Sequence, residues 1–479
     1  MTTVSSAGIG SGLDVNSIIT QLMAIEKQPL TTLQTKESTI QSTVSEYGKI
    51  KSDVSTLNDL ATKLASQTTW AQTTASSSST AVSASTNGSA AGTYSVEVHT
   101  LASVQTLATG VAASSTALAG AGNLHIELGT WGAGQTSFTA SPTATAVDIT
   151  VNATDTLADV RDKVNASGAG VTALIMTDAN GSRLLLRSNA TGAANAFRTT
   201  VTDADGVNND ATGLSQLAFD PSAGVSVMSQ NQVAANAAAT VNGLAVSSAS
   251  NTLSNIVDGL TLNLSAQTTA PVTVNIVPDT ATLKKTITDF AAAYSALNTL
   301  IAGDTKYDAT TKTGGVLQGD SSASGLQRTL RTLLGSASSA SSMYGHLSDM
   351  GLQLQGDGSL TVNSTQLDSA LGNLAEVKKA FANSNPADPT QDGFAKRFRV
   401  ATDNMLGIDG VLTTRTDGLG QQLKRNQDAQ DSLQTRLDAT EARLRAQYTA
   451  LDKTMAQLTS QSTYITQQIA AWTANSSSK

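Results

Sequence analysis

The residues that could catalyse a reaction or bind a metal are few and lie far apart. The chain has 3 His, at His99, His125 and His346, and none of them belongs to an HExxH pair. Zinc ligands and acid–base histidines work beside further ligands or carboxylates. This spacing argues against a catalytic or zinc-binding role for any of the three.

Two loops have glycine or aspartate at spacings that can suit charged ligands. GIGSGLD, from Gly8 to Asp14, resembles a phosphate-binding glycine loop, although no strand precedes it and no GK[ST] follows. DADGVNND, from Asp203 to Asp210, resembles a calcium loop, although it lacks the full ligand spacing and the closing Glu. We interpret the first as a terminal segment and the second as a polar surface turn. Since GxSxG and kinase motifs are also missing, we expect no catalytic residues, no metal and no cofactor.

The composition excludes several further classes of protein. The 479 residues include no Cys, which removes cysteine nucleophiles, thiolate metal sites and disulfides. The net charge of -8 argues against nucleic acid or an anionic membrane surface as the main partner. No run of about 18 apolar residues occurs, so we expect no membrane span. The first residues lack the basic and apolar regions of a Sec signal peptide, so we expect none.

The elements that would position any site begin with a long N-terminal helix. After Pro29, which fits either the first residue of a new helix or a kink, apolar residues recur at spacings typical of an amphipathic helix. The Ser/Thr-rich stretch 66–92 has no such stripe and predicts a linker or an extended entry into another region. The apolar positions of the helix are Leu33, Ile40, Val44, Tyr47, Ile50, Val54, Leu57, Leu60 and Leu64.

The middle of the chain, from about Thr93 to Asp279, has the patterns of β-strands. TYSVEV, LTLNLS and PVTVNIV alternate apolar and polar residues. Asn180-Gly181 and Asn242-Gly243 predict tight hairpin turns, because both residue types adopt positive φ angles readily. Before the first turn, DTLADVRDKV predicts a short helix whose apolar face consists of Leu157, Val160 and Val164.

Helical patterns return after Asp279. SSASGLQRTLRTLL and NLAEVKKAFAN predict two helices around a small hairpin, LQLQGDGSLTV, and the chain from about Asp392 to the end is predicted to be helical. The order along the chain is therefore helix, strand, helix. The first helix after Asp279 has a stripe of Leu283, Ile287, Phe290, Tyr294, Leu297 and Ile301.

The last helix has a coiled-coil seam close to the end of the sequence. Its apolar residues alternate spacings of four and three, with a polar interruption at Ser462. We expect this seam to pair with the N-terminal helix or with the same helix in other copies; an intramolecular coil without a partner role is the simpler alternative. A helix from Gln421 to Trp472 would be roughly 75 Å long, which suits assembly better than catalysis. The seam consists of Leu444, Tyr448, Leu451, Met455, Leu458, Ile465, Ile469 and Trp472.

Four stretches together resemble the flagellar filament cap family, also called hook-associated protein 2. GIGSGLDVNSIITQLMAIEKQPL is similar to the N-terminal segment of the family, and TLADVRDKVNASGAGVTALIMTDANGSRLLLRS to the insertion motif that flagellins share. ATVNGLAVSSASNTLSNIVDGLTLNL with LSDMGLQLQGDGSLTV resembles the C-terminal region, and MAQLTSQSTYITQQIAAW resembles its end. Two stretches, from Val111 to Val147 and from Asp203 to Ser229, resemble no named motif.

The resemblance implies a structural protein that caps the distal end of the bacterial flagellar filament as a ring, commonly of five subunits. It also implies that the protein helps exported flagellin subunits to fold and insert. The implied partners are other copies, flagellin, the hook–filament junction proteins and the flagellar export chaperone, with host mucin as an adhesion partner of some members. The implied location is extracellular, at the flagellar tip, after export by the flagellar type III route without a cleaved signal peptide.

We therefore predict an α+β multidomain protein, in which long N- and C-terminal helices form a coiled-coil stalk and β-rich head domains lie in the middle. We expect the seam residues of the last helix, together with Leu33, Ile40, Val44, Tyr47, Val54, Leu57 and Leu64 of the first, to be assembly contacts. The predicted domains are a terminal helical segment at 1–66, disordered before assembly; an inner head domain at 67–98 and 231–278; an outer head domain at 99–230 with the insertion motif near 156–197; a helical leg at 279–420; and a coiled-coil helix at 421–479.

Two alternatives remain open at this point. A flagellin-like filament or hook–filament junction subunit would share the same order of elements and the insertion motif. An enzyme or carbohydrate-binding module in the β region would need a pocket with convergent polar or aromatic groups, and Trp131 has few aromatic neighbours in the sequence.

Overall fold

Helices occupy both ends of the described chain, and strands occupy its middle, as the sequence predicts. The structure is a computed structural model that describes residues 14–88 and 90–476. The helices are α1 (Val15–Glu26), α2 (Gln28–Ala65), α3 (Gln67–Trp70), α4 (Leu157–Ala166), α5 (Thr280–Thr305), α6 (Ser321–Gly335), α7 (Ser364–Leu371), α8 (Leu374–Ala382), α9 (Phe394–Leu406) and α10 (Val411–Ser476).

The strands fall into one central block and two small hairpins. They are β1 (Thr73–Ser77), β2 (Val82–Thr86), β3 (Gly92–Thr100), β4 (Thr106–Ala108), β5 (Gly122–Trp131), β6 (Phe138–Ala140), β7 (Val147–Val151), β8 (Val171–Asp178), β9 (Gly181–Ser188), β10 (Ala196–Asp203), β11 (Phe219–Asp220), β12 (Val225–Ser226), β13 (Ser229–Gln232), β14 (Ala237–Val241), β15 (Leu244–Ser248), β16 (Thr252–Val257), β17 (Leu260–Leu264), β18 (Val272–Pro278), β19 (Tyr307–Asp308), β20 (Thr313–Gly314), β21 (Leu352–Leu354) and β22 (Leu360–Val362). The chain divides into a helical unit, made of the parts up to Thr69 and from Thr280 onward, and a β unit from Trp70 to Asp279.

The helical unit is built around α2. Pro29 lies in the first turn of this helix, where its missing N–H costs no hydrogen bond. One face of α2 packs against α5, α9 and α10. All six residues of the predicted α5 stripe are buried in the same unit, so the helical periodicity identified its core face.

The predicted helix from Asp392 to the end is interrupted once. α9 ends at Leu406 and α10 begins at Val411, because Gly407 has a ψ angle of 170°, outside the helical region. A Cβ atom at Gly410 would lie 2.4 Å from the carbonyl oxygen of Met405. After this break α10 continues for 66 residues. That length corresponds to roughly 100 Å of helix.

The β unit contains two hydrophobic cores. One lies between the sheet β1-β18-β3-β14-β15 and the sheet β16-β17-β2, and it includes Val98, Leu262 and Val274. The other lies among the sheet β12-β11-β10-β5-β6, the sheet β13-β4-β9-β8 and the helix α4, and it includes Leu124 and Phe197. The chain enters the second core after β3 and returns to the first at β14.

The two predicted hairpins form, but only one has the expected turn. Asn242 (φ 51°) and Gly243 (φ 80°) connect β14 to β15 with both φ angles positive. In the other hairpin Asp178 pairs with Gly181, so the turn residues are Ala179 and Asn180. The Asp178 carboxylate accepts a hydrogen bond from Asn180 N at 2.7 Å. Gly181 is needed instead for close approach, since a Cβ there would lie 2.2 Å from the Ala112 carbonyl oxygen.

Candidate assembly surface

Beyond Tyr448, the apolar stripe of α10 is uncovered by any element that the structure describes. Because its residues recur every three or four positions, they lie on one face of the helix. We call this surface the distal stripe. It consists of Leu451 (46% exposed), Met455 (38%), Leu458 (54%), Ile465 (56%), Ile469 (59%) and Trp472 (83%).

A further large side chain of this part of α10 lies away from the distal stripe. Tyr464 is 63% exposed and lies next to Ile465, outside the alternation of four and three. Its hydroxyl accepts a hydrogen bond from Gln468 Nε2 at 3.2 Å, within the same helix. An apolar helix face this extensive, bordered by Thr, Ser and Gln, is typical of a protein–protein contact.

The nearer part of the same seam is covered by α1. Leu433 and Leu437 of α10 pack against α1, and Leu444 and Tyr448 are partly buried at the edge of this small core. Arg445 Nη1 donates a hydrogen bond to Asn16 Oδ1 at 3.3 Å, close to the start of α1. The covered and uncovered parts of the seam therefore meet near Tyr448. The α1 residues of this core are Val15, Ile19 and Met23.

The N-terminal seam lies in a different environment. Leu33 and Val44 are half-buried, and the other predicted positions of this helix are fully buried against α5, α9 and α10. Helices of the same chain already occupy this face of α2. The structure therefore places these positions in an intramolecular core rather than on a surface between copies. The fully buried ones are Ile40, Tyr47, Val54, Leu57 and Leu64.

A buried ion pair holds α2, α6 and α10 together, and the sequence pattern gave no sign of it. Asp320 caps α6, accepts a hydrogen bond from the Tyr47 hydroxyl at 2.7 Å, and accepts another from Arg415 Nη2 at 2.7 Å. Burial opposes ionisation of Asp320, but the hydrogen bonds from Tyr47 and Arg415 outweigh it and hold the pKa of this carboxyl below its usual value. Burial, with the neighbouring Asp320, raises the pKa of Tyr47 to about 12. The base of α10 is thereby fixed to the helical unit.

A polar layer separates the small core around α1 from the rest of this unit. Gln430 Nε2 donates to Glu37 Oε2 and to Asn426 Oδ1, both at 2.7 Å. The hydrogen bonds from Gln430 and Gln427 lower the pKa of Glu37. Asn426 is a buried polar residue of α10, so the apolar contact between α2 and α10 is interrupted there.

The side chains that could catalyse a reaction or bind a metal do not lie together in the described chain. His125 Nδ1 lies 2.8 Å from Asp148 Oδ1 at the surface, and the Asp203 carboxylate accepts a hydrogen bond from Ser215 N at 2.8 Å. No group of three or more His, Asp or Glu residues among those described could hold a metal ion. The glycine segment from Gly8 to Leu13 lies outside the described residues, while Asp14 caps α1 by accepting from Ser17 N at 3.0 Å.

Trp131 has more aromatic neighbours than its sequence context suggests. Its ring centroid lies 4.6 Å from that of Phe138 and 5.9 Å from that of Phe219, both in edge-to-face geometry. Its indole Nε1 donates a hydrogen bond to Gln105 Oε1 at 3.1 Å.

Among the described helices, none combines the length and the apolar character that crossing a membrane would require.

Three family models match the sequence. The model of the flagellar hook-associated protein 2 N-terminus matches residues 11–105, and the model of its C-terminus matches residues 234–460. The flagellin hook IN motif matches residues 133–190. This match begins earlier and ends earlier than the predicted motif near 156–197, and it includes part of the stretch before Val147 that had resembled no named motif.

Relatives of known name match over almost the whole chain. The flagellar hook-associated protein 2 of Escherichia coli O157:H7 is 33% identical over 94% of this chain and 94% of its own length. The B-type flagellar hook-associated protein 2 of Pseudomonas aeruginosa is 31% identical over 92% of each chain. A crystal structure of the flagellar cap protein FliD D1-D2-D3 domains from Escherichia coli aligns with a TM-score of 0.60 at 30% identity, covering 78% of this chain and 99% of that one.

Proposed function

The chain belongs to the flagellar hook-associated protein 2 family, and on that basis we propose that it caps the distal end of the bacterial flagellar filament. The role is structural rather than enzymatic. The observation that carries the proposal is the distal stripe: beyond Tyr448, α10 presents an apolar face that one copy leaves open. A protein that acts alone has no use for such a face, whereas a subunit of an assembly does.

The assembly that we propose is a closed ring, with five subunits as the expected number. The distal stripes of neighbouring copies would pack in the manner of a coiled coil, since their heptad spacing matches knobs-into-holes packing. Ser462 interrupts this seam and weakens it, which suits contacts that must form only during assembly. The deeper seam of α2 would keep its position in the core of each subunit.

Within this ring, the two cores of the β unit would correspond to an inner and an outer head domain. The inner domain would comprise 67–98 and 231–278, and the outer one 99–230, while the helical unit would form the leg. The topology supports this division, because the chain enters the second core after β3 and returns to the first at β14. These boundaries remain predictions.

The cap would act on flagellin outside the cell, at the flagellar tip. We propose that it promotes the folding and insertion of flagellin subunits as they are exported, and that it contacts the hook–filament junction proteins before the filament grows. We also propose that the protein itself leaves the cell by the flagellar type III route, escorted by the flagellar export chaperone. Adhesion to host mucin is a further proposed role that rests on the family resemblance alone.

A deletion strain tests the proposed function directly. The gene would be deleted in the bacterium that carries it. The deletion strain would then be complemented with a gene for the full chain or with a gene for a chain that ends at Ala450. We expect the deletion to release flagellin monomers into the medium, the full chain to restore filaments, and the shortened chain to fail. Normal filaments in the deletion strain would refute the capping role.

The alternative, a filament or junction subunit, would share the match to the flagellin hook IN motif. A filament subunit makes contacts that do not close, so its assemblies grow with concentration, whereas a ring stops at a fixed size. If the chain were such a filament subunit, labelled protein would also lie along the filament rather than only at its tip.

A further inference from the structure

The net charge of the chain is concentrated in the β unit. Of the 29 Lys and Arg and the 37 Asp and Glu in the chain, 5 and 13 respectively lie in residues 70–279, which leaves 24 of each elsewhere. The whole net charge of -8 therefore belongs to the β unit. Two β units that approach each other repel unless acidic groups of one meet basic groups of the other.

Two of the five basic residues of this unit lie on one hairpin without a carboxylate partner. Arg161, Lys163 and Arg198 form ion pairs with carboxylates of their own chain. Arg183 and Arg187 of β9 form no ion pair with any residue that the structure describes. They lie four positions apart in one strand, so their side chains leave the same face of the sheet, roughly 13 Å apart along the strand.

Apolar side chains of β8 lie beside the two arginines. Met176 pairs with Arg183 in the antiparallel register, and Leu174 lies two positions before Met176. The intervening pattern places Ala173 in the hydrophobic core, so Leu174 and Met176 face away from this core, and they are 38% and 55% exposed. Arg and Met are enriched in protein–protein interfaces. We call the surface formed by Leu174, Met176, Arg183 and Arg187 the arginine face.

A loop of the same unit carries the complementary groups. Val207 is 44% exposed and lies between Asp205 and Asp210 in the sequence. Asp205 Oδ1 accepts a hydrogen bond from Val207 N at 2.8 Å, and Asp210 Oδ1 accepts one from Thr212 N at 3.1 Å. These bonds hold the loop, but neither carboxylate forms an ion pair with a described basic residue. We call residues 203–210 the acidic loop.

We propose that the arginine face of one copy binds the acidic loop of a neighbouring copy, and that this contact joins the β units of the ring. The proposal rests on the proposed capping function and adds the surfaces through which the β units meet. Val207 would pack against Leu174 and Met176, while the two carboxylates of the loop would pair with Arg183 and Arg187.

Charge complementarity identifies a second copy as the partner. Each surface carries two charges that its own chain leaves unpaired, and the signs are opposite, so one contact neutralises both sets. The other basic residues described in the β unit are already paired, so the arginine face is where this unit can receive the acidic β unit of a neighbour. Because the two surfaces differ, the contact is heterologous, and repeating it closes a ring when the rotation permits.

Charge reversal tests the contact. Arg183→Glu with Arg187→Glu, and separately Asp205→Arg with Asp210→Arg, should each weaken self-association about tenfold or more, because attraction becomes repulsion. The four substitutions together exchange the two signs and should restore association to within about threefold of wild type. Sedimentation velocity measures the association. Losses in the two pairs without recovery in the combination would overturn the proposal, and so would the absence of any loss.

Two matched variants separate the contact from net charge and from loop folding. Glu97→Arg with Asp258→Arg changes the net charge of the unit as much as reversal of the acidic loop does, but lies outside both surfaces. Added to the reversed arginine face, this pair should not restore association; equal recovery would contradict the contact. Asp205→Asn with Asp210→Asn keeps an acceptor oxygen at each position, so the loop should keep its hydrogen bonds while association falls about threefold; unchanged association would also contradict the contact.

Disulfide trapping gives an independent measurement, because the chain has no Cys of its own. A mixture of Met176→Cys protein and Val207→Cys protein should give a cross-linked dimer on non-reducing gels after mild oxidation, whereas each variant alone should not. The double variant should give a ladder of species that stops at the ring size. The proposal fails if the mixture gives no cross-link, or if either variant alone cross-links as well as the mixture does.

The failure of this contact is distinguishable from failure of the proposed function. If wild-type protein forms a discrete oligomer that neither charge reversal nor the cysteine variants detect, only the contact between the arginine face and the acidic loop is refuted. If the deletion strain makes normal filaments, the capping function itself is refuted.

Discussion

Replacing Leu458 and Ile465 by alanine should weaken self-association without destabilising the folded chain. Both side chains are more than half exposed, at 54% and 56%. A fully buried Leu or Ile contributes about 1.5–3 kcal/mol, so burying the remaining half in a partner contributes about 0.8–1.5 kcal/mol each. The double variant should therefore lose about 1.5–3 kcal/mol per contact, or roughly ten- to a hundredfold in association constant. Alanine has a higher helix propensity than isoleucine, so α10 itself should persist.

Sedimentation velocity measures the association, and urea denaturation measures the free energy of unfolding. The matched control is Ser460→Ala with Gln467→Ala, on the opposite face of the same helix, which should leave both quantities unchanged. Leu57→Ala is the contrasting variant: Leu57 is 0% exposed, and its loss should cost about 2–5 kcal/mol of unfolding free energy. The reasoning is refuted if the stripe variant associates like wild type, or if it lowers the unfolding free energy as much as Leu57→Ala does.

Three further predictions concern the interior of each unit. Asp320→Asn should lower the unfolding free energy by about 2 kcal/mol at pH 7. The pKa of Asp320 is depressed in the folded chain, so the loss of unfolding free energy in the variant should be complete above about pH 4 and should shrink as the pH falls through the folded pKa. Urea denaturation at pH 7 and at pH 3 would measure this change. A loss that is equal at both pH values would contradict it. Tyr47, whose folded pKa is about 12, should make wild type lose stability as the pH rises above about 10, the value in the unfolded chain. Tyr47→Phe should show a smaller loss over that range, and an equal loss in the two proteins would contradict this assignment. Gln105→Leu should destabilise the β unit by about 2–4 kcal/mol, because Phe197 N, Phe197 O and Trp131 Nε1 lose their buried hydrogen-bond partner. Trp fluorescence during denaturation would measure this loss of stability. An unchanged unfolding midpoint would refute the prediction.

Periodicity predicted the longer helices and the buried faces of α4 and α5, but it did not predict the short helices α3 and α7. Every residue of the predicted α5 stripe is buried, and Pro29 lies in the first turn of α2, one residue after its start at Gln28, since both features depend on local geometry. The two Asn-Gly hairpins were also predictable, but the turn at Ala179-Asn180 was not. There Gly181 belongs to β9 and lies close to the Ala112 carbonyl oxygen, a tertiary feature that the Asn-Gly pattern does not reveal. The break between α9 and α10 likewise depends on the non-helical ψ angle of Gly407, which a stripe pattern does not reveal.

The sequence predicted the candidate surface less completely than the fold. The seam of α10 could be read from its spacing, but the point near Tyr448 where α1 stops covering it depends on how the two helices align. The burial of Tyr47 and Leu57 depends on α5 and α9, which lie more than 200 residues away in sequence. The Asp320–Arg415 pair joins positions 95 residues apart, so no local pattern could have indicated it.

Native mass by light scattering over a concentration series tests the central claim, that this chain forms a closed assembly through its uncovered helical face. The full chain would be compared with a chain that ends at Ala450 and therefore lacks the distal stripe. We expect the mass of the full chain to rise to a fixed multiple of the monomer and then to stay constant, and the shortened chain to associate far more weakly. A monomer at every concentration, growth without limit, or equal association of the two chains would contradict it.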